Sequence, residues 1–112
     1  MNILRKTLAR RLGDLMDEKN IKQEATRELT GVAQKTISNT KNELTAASID
    51  TLESLATGFK IPAWTLLVDD VRSIKQAQEM DHLLRLYLSS NDVGRSQIIR
   101  TAEAESRYSS QD

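Results

Sequence analysis

Residues 23–42 read QEATRELTGVAQKTISNTKN. The first seven predict a short helix, and Gly31 ends it, because a residue without Cβ enters the left-handed turn conformation cheaply. A second helix is predicted from about 34 to 41. On a helical wheel Ile37, Thr40 and Ala33 form one narrow inward side. Ser38, Asn42, Lys35 and Asn39 take the opposite side, with Gln34 at its edge. The segment is too polar for a core and too regular for a linker.

Working outward, residues 2–19 place Leu4, Leu8, Leu12 and Leu15 with Met16 at steps of three and four, an amphipathic helix that Asn20 stops. Downstream, SIDTLESLATGF predicts a fourth helix capped by Ser48, with Ile49, Leu52, Ala56 and Phe59 on one face. Pro62 suits a first helical turn, so PAWTLLV predicts a fifth short helix. Trp64, with Phe59 and Leu67, is expected to complete a core rather than to stack on a ligand. Asp69 and Asp70 read as a solvated linker.

Beyond Asp70 a long helix carries Ile74, Ala77, Met80, Leu84 and Tyr87 in a stripe, joined by Leu83 and Leu88, and ends near SSND. A last helix, about 93–107, offers Ile98, Ile99 and Ala102. Two helices of this size cannot bury themselves well. Their apolar side must pack on the first domain, on another subunit or on a different protein. The expected organisation is an all-α chain: a five-helix domain over 1–69, a helical appendage over 70–108 and a frayed tail at 109–112.

Composition agrees with helices. Of 112 residues, four are Gly, one is Pro and 4% are aromatic, a poor basis for turn-rich β structure. The chain has no cysteine, which excludes disulfides and thiolate metal sites and fits a cytoplasmic location. No apolar run has membrane-spanning length. His82 is the single histidine and reads as a surface or packing residue. Neither a zinc site nor a Cys/His nucleophile can be assembled, no phosphate-cradling glycine loop exists, and no cofactor is implied. An enzyme is not expected.

Net charge is zero, which argues against indiscriminate nucleic-acid coating. Its distribution is uneven: residues 1–48 hold nine Lys/Arg against six Asp/Glu, and residues 49–70 hold one against four. A basic first half beside an acidic segment suits one face attracting an anion, and suits an ordinary solvated surface as well.

The polar side of residues 34–42 carries the chemistry. Gln and Asn donate and accept in one plane, matching adenine N6 and N7, and Lys reaches guanine O6 and N7. The wheel alone also fits a polar surface helix with no partner. Spacing narrows this: a short helix, a Gly-Val turn and a second helix pinned by Ile37 form the helix-turn-helix pattern, with Gln23, Gly31, Val32 and Ile37 at the required offsets. Here the sequence resembles the Cro and lambda-repressor-like helix-turn-helix family, also called the XRE family, over roughly residues 4–68.

That resemblance implies a five-helix domain binding operator DNA, usually as a dimer. Gln23 matches the glutamine that opens helix two near a phosphate, and Lys22 adds charge beside it. Gln34 and Lys35 match base-contacting positions at the start of the recognition helix, with Thr36, Ser38 and Asn39 on the rest of its groove side. Asn42 matches a phosphate-touching position. Phosphate contacts would position the domain and base contacts would specify the site. Several residues depart from the family pattern. Thr26 and Arg27 stand where an apolar residue and alanine are usual. Lys41 and Met16 replace a paired Glu and Arg, so Lys41 is expected to reach outward, to phosphate or to Asp14 or Asp17. Glu43 replaces a glycine.

The expected function is a sequence-specific transcriptional regulator of double-stranded DNA, a repressor of phage or plasmid type on a near-palindromic operator. Two half-sites require two linked recognition helices, which favours a homodimer through Met80, Leu83, Leu84, Tyr87, Leu88, Ile98 and Ile99, with a higher oligomer left open. An antirepressor protein would supply induction. Two rivals stand beside this: an antitoxin that grips a toxin through its C-terminal helices while regulating its own operon, and a protein-interaction module that has lost DNA binding.

Overall fold

Leu8, Leu12, Leu15 and Met16 recur at helical spacing, and the helix that aligns them runs through the centre of the first part of the molecule. A computed structural model describes residues 3–108. Over these residues the chain is all-α: α1 (Ile3–Lys19), α2 (Gln23–Thr30), α3 (Gln34–Lys41), α4 (Ile49–Phe59), a 3-10 helix (Ala63–Leu67), α5 (Ile74–Ser89) and α6 (Asp92–Glu105), with no strand. The expected tail at 109–112, and residue 2 at the head of the expected first helix, lie outside the described residues. Residues up to Glu79 form one compact unit and residues from Met80 onward a second.

In the first unit α1 packs against α3 and the 3-10 helix, and α2 against α3 and α4. Leu12, Ile37, Leu55, Phe59, Leu66 and Ala77 are fully or almost fully buried at the centre. Capping follows the sequence closely. Ser48 Oγ accepts the Thr51 N–H at 3.0 Å to start α4. Gly31, at φ 76°, ends α2 and donates its N–H to the Arg27 carbonyl at 2.8 Å. The start of α5 is capped from afar, since Glu18 Oε1 accepts the Ile74 N–H at 3.0 Å. Gln78 Nε2, further along α5, donates to the Lys60 carbonyl at 2.8 Å.

Four expectations are corrected. Leu4 is 57% exposed, because the elements covering α1 bury it only from Thr7 onward. Ile49, in the first turn of α4, is 82% exposed, and Leu55 takes the inward place. The fifth helix is of 3-10 type, with a repeat of about three residues. Trp64 and Leu67 therefore share its outer side, Trp64 exposed and Leu67 half-buried, while Thr65 and Leu66 face the core. Asp69 is no bare linker residue. It accepts hydrogen bonds from Arg10 Nη2 and, at 3.2 Å, from Thr7 Oγ1. The Arg10 guanidinium holds the Asp69 carboxyl below the usual carboxylate range.

Arg11 was not expected in the interior. Its side chain is 1% exposed, and its Nε and Nη1 donate to the carbonyls of Thr65 at 3.1 Å and Val71 at 3.3 Å. One charged group thus ties α1 to the end of the 3-10 helix and to the segment entering α5.

The second unit consists of the remainder of α5 and α6, joined by Ser90 and Asn91. Asn91 Oδ1 accepts the Gly94 N–H at 2.9 Å and caps α6. Arg95 folds back on α5, donating from Nε to the Tyr87 carbonyl at 3.0 Å and from Nη2 to the Leu88 carbonyl at 2.8 Å, with its guanidinium carbon 5.4 Å from the Tyr87 ring centroid.

Candidate nucleic-acid interface

The geometry of α3 is decided one helix earlier. Thr26, fully buried, donates its hydroxyl to the Lys22 carbonyl at 2.8 Å, and Thr30 donates to the Thr26 carbonyl at the same distance. Thr30 Oγ1 then accepts the Val32 N–H at 3.2 Å, so the hydroxyl at the end of α2 also holds the turn. Thr26 satisfies its own polar atom on the helix backbone, which lets it fill an apolar slot. Arg27, in the neighbouring place, points to solvent.

Val32, Ile37 and Thr40 are buried and fix α3 against the core. With these inward, Gln34, Lys35, Lys41 and Asn42 are exposed and Thr36, Ser38 and Asn39 half-exposed. Every residue named from the sequence as base-contacting therefore reaches the surface of one eight-residue helix. Asn42 Nδ2 lies 3.5 Å from Ser38 Oγ, a weak contact that leaves both groups open to other partners. Neither α2 nor α3 has a side chain capping its N-terminus, so the N–H groups of both first turns remain available to an anion.

Lys22, Gln23, Gln34 and Lys41 line one open concavity with Met16, Asp17, Ile21 and Glu24. Lys35, Thr36, Ser38, Asn39 and Asn42 lie outside it, along α3. Lys41 forms no ion pair with Asp14 or Asp17 among the described residues; Asp14 lies 3.9 Å from Arg10 instead. The ammonium of Lys41 is thus directed at solvent. Glu43, where a glycine was the usual choice, adopts φ 59° and donates its N–H to the Thr40 carbonyl at 3.2 Å, while Leu44 N–H closes on Asn39 at 2.9 Å. A glutamate here performs the helix-ending turn without glycine.

Thr40 supplies a stability test on this helix. It is 2% exposed, and its Oγ1 has no hydrogen-bond partner among the described residues. Thr40→Val keeps the shape and removes the orphaned hydroxyl, so a gain of about 1 kcal/mol in unfolding free energy is expected in urea titration. A loss of that size would show that the hydroxyl is satisfied in solution.

The residues named for association lie on the second unit. Leu83, Leu84, Leu88 and Ile99 are exposed, and Met80, Tyr87 and Ile98 are half-buried. Leu86, Val93 and Tyr108, which the stripe did not include, are exposed as well. No helix is long and apolar enough to cross a membrane among the described residues, and none of their His, Asp and Glu side chains cluster in threes to hold a metal ion. No protein-family model matches the chain, and no curated protein or solved structure is significantly similar to it.

Proposed function

We propose that this chain is a cytoplasmic, sequence-specific DNA-binding regulator of the Cro and lambda-repressor-like kind, acting as a dimer on a near-palindromic operator. One observation carries the reading: α3 is pinned by Ile37 and Thr40 so that a continuous face of amide, hydroxyl and ammonium groups projects outward. In this reading α2, Gly31 and α3 are the helix-turn-helix, and Gln34, Lys35, Thr36, Ser38 and Asn39 meet base edges in the major groove. Lys22, Gln23, Lys41 and Asn42 meet phosphates, helped by the uncapped N-termini of α2 and α3. Occupancy of the operator would block transcription, and an antirepressor would relieve it.

The test is selection of a preferred duplex from a random pool, followed by titration of variants on it. Lys35→Ala should cost about 1–3 kcal/mol on the selected site and far less on unrelated DNA. Lys41→Ala should weaken binding to all sequences alike and lower the salt dependence by roughly one ion. Equal losses on both DNAs for Lys35→Ala would remove it from base recognition. Failure to enrich any duplex would favour the protein-interaction module.

A second reading, the antitoxin, draws on the exposed apolar side chains of α5 and α6, which a toxin could cover. A stable complex with the product of an adjacent small gene, formed through residues 80–105, would favour it.

A further inference from the structure

Between α2 and α3 the chain turns over Gly31, Val32 and Ala33, and the backbone leaves one donor over. Gly31, in the left-handed conformation, gives its N–H to the Arg27 carbonyl at 2.8 Å. A helix that ends on this single bond satisfies the glycine and offers no carbonyl to the residue after it. That residue is Val32, which is buried and whose N–H meets no backbone acceptor among the described residues. Burying an N–H without a partner is costly, so a side chain has to serve. Thr30 Oγ1 accepts it at 3.2 Å while donating its own proton to the Thr26 carbonyl at 2.8 Å.

The direction of that hydroxyl is set from a third helix. Thr30 is β-branched, so its methyl and its hydroxyl turn together about one bond. The methyl lies against α4 at Gly58, where a Cβ would come within 2.6 Å of Thr30 Cγ2. With the methyl lodged there, the hydroxyl faces the Thr26 carbonyl and the Val32 N–H. Thr26 is itself fully buried and bonded to the Lys22 carbonyl, so the far end of the relay is anchored too. Helix α4 thus reaches the turn through one side chain of α2.

What depends on the turn is the direction in which α3 sets out. No side chain caps α3 at its start, and its entry rests on the buried Val32. Base edges are read through hydrogen bonds that need both distance and direction, whereas a phosphate attracts a cation from many angles. In the DNA-binding reading Lys22 and Gln23 stand at the start of α2 and keep their phosphates if α3 swings. Gln34, Lys35 and Asn39 lose their base edges.

We propose that Thr30 is a positioning residue for α3: its hydroxyl, aimed by the contact of its methyl with Gly58, fixes the angle at which that helix selects one DNA sequence. It acts through Val32 and meets no DNA itself. The proposal rests on the DNA-binding reading for what α3 selects, and on the turn alone for how α3 is held.

The experiment compares the full wild-type chain with Thr30→Val, which keeps the methyl and removes the hydroxyl, and with Thr30→Ser, which does the reverse. Affinity is titrated on the selected duplex and on an unrelated one, and their ratio is read. A lower folded fraction scales both affinities alike and cancels in the ratio, so lost stability by itself does not move it. Thr30→Val should lower the ratio about 10-fold or more, the size of one good base contact, and Thr30→Ser should keep most of it. Amide hydrogen exchange without DNA should show Val32 protected in the wild type and in Thr30→Ser but not in Thr30→Val, with Leu12 and Phe59 protected in all three. An unchanged ratio in Thr30→Val, or a loss as large in Thr30→Ser, would overturn the proposal. So would a freely exchanging Val32 amide in the wild type, a result that requires no variant to fold. Failure to enrich any duplex, with Val32 protected only where the hydroxyl is present, would overturn the DNA reading and leave the positioning of α3 standing.

Discussion

Replacing Arg11 by alanine should lower the unfolding free energy of the first unit by about 3–5 kcal/mol, read as a shift in the urea midpoint at neutral pH. Arg11 is among the largest fully buried side chains, so truncation opens a cavity where α1 meets the 3-10 helix. It also strands two buried acceptors, the carbonyls of Thr65 and Val71. An opposing effect has to be weighed. Burial lowers the Arg11 pKa from its ordinary value, which means the charged form is less well solvated inside than in water, and Nη2 has no hydrogen-bond partner among the described residues. The guanidinium nonetheless stays charged at neutral pH. Arg11→Met decides between the two effects, because it keeps most of the volume and removes both the charge and the donors. If the stranded carbonyls dominate, methionine should still lose about 1–2 kcal/mol. A neutral or stabilised methionine variant would show that desolvation of the charge wins, as it does for some buried ion pairs.

Gly58→Ala should cost about 3 kcal/mol, although alanine is worth roughly 1 kcal/mol more than glycine in a helix interior. A Cβ at this position would lie 2.6 Å from Thr30 Cγ2 and 2.8 Å from both Thr30 Cα and the Leu29 carbonyl oxygen. Two of those three atoms are backbone and cannot swing aside, so α4 must separate from the end of α2. Gly13, inside α1 with nothing within 4 Å of the same construction, is the control: Gly13→Ala should be neutral or gain up to about 1 kcal/mol. Thermal or urea unfolding of the two variants gives the comparison, and equal behaviour would remove the close approach at Gly58. The Gly58 substitution presses on Thr30, whose hydroxyl holds the Val32 N–H. In the DNA-binding reading its effect on affinity should therefore exceed what lost folding alone explains.

The sequence made local features legible where one residue type answers one local need. Gly31 at a left-handed turn, the cap at Ser48 and the inward Ile37 follow from backbone conformation, hydrogen-bond supply and helical period. Features set by contacts distant in sequence were not legible. Arg11 reads as solvent-facing until Thr65 and Val71 present their carbonyls to it, 54 and 60 residues away. Gly58 reads as a weak point in α4 until the end of α2 is seen against it. Trp64 was misplaced because a large aromatic beside apolar residues reads as core, whereas contacts distant in sequence turn Thr65 and Leu66 inward and leave Trp64 on the outer side of the 3-10 helix. The outward face of α3 was legible since two anchors fix its rotation, and the locking of its turn by Thr26 and Thr30 was not, because a hydroxyl in a helix announces no particular partner.

Of the four helices that precede the 3-10 helix, only α2 leaves through a glycine. The others exit through Asn20, Glu43 and Lys60, at φ 54°, 59° and 60°. A side chain in that conformation is disfavoured by roughly 1 kcal/mol, somewhat less for asparagine. The fold therefore stands with a standing load of backbone strain at three of its corners, and it tolerates that load without using the residue that would remove it. What the three corners hold is stability not yet taken up. Glycine at Asn20, Glu43 or Lys60 would release part of that load. The gain could offset unfavourable side-chain changes elsewhere, for instance on the exposed face of α3, where side chains touch little of the protein.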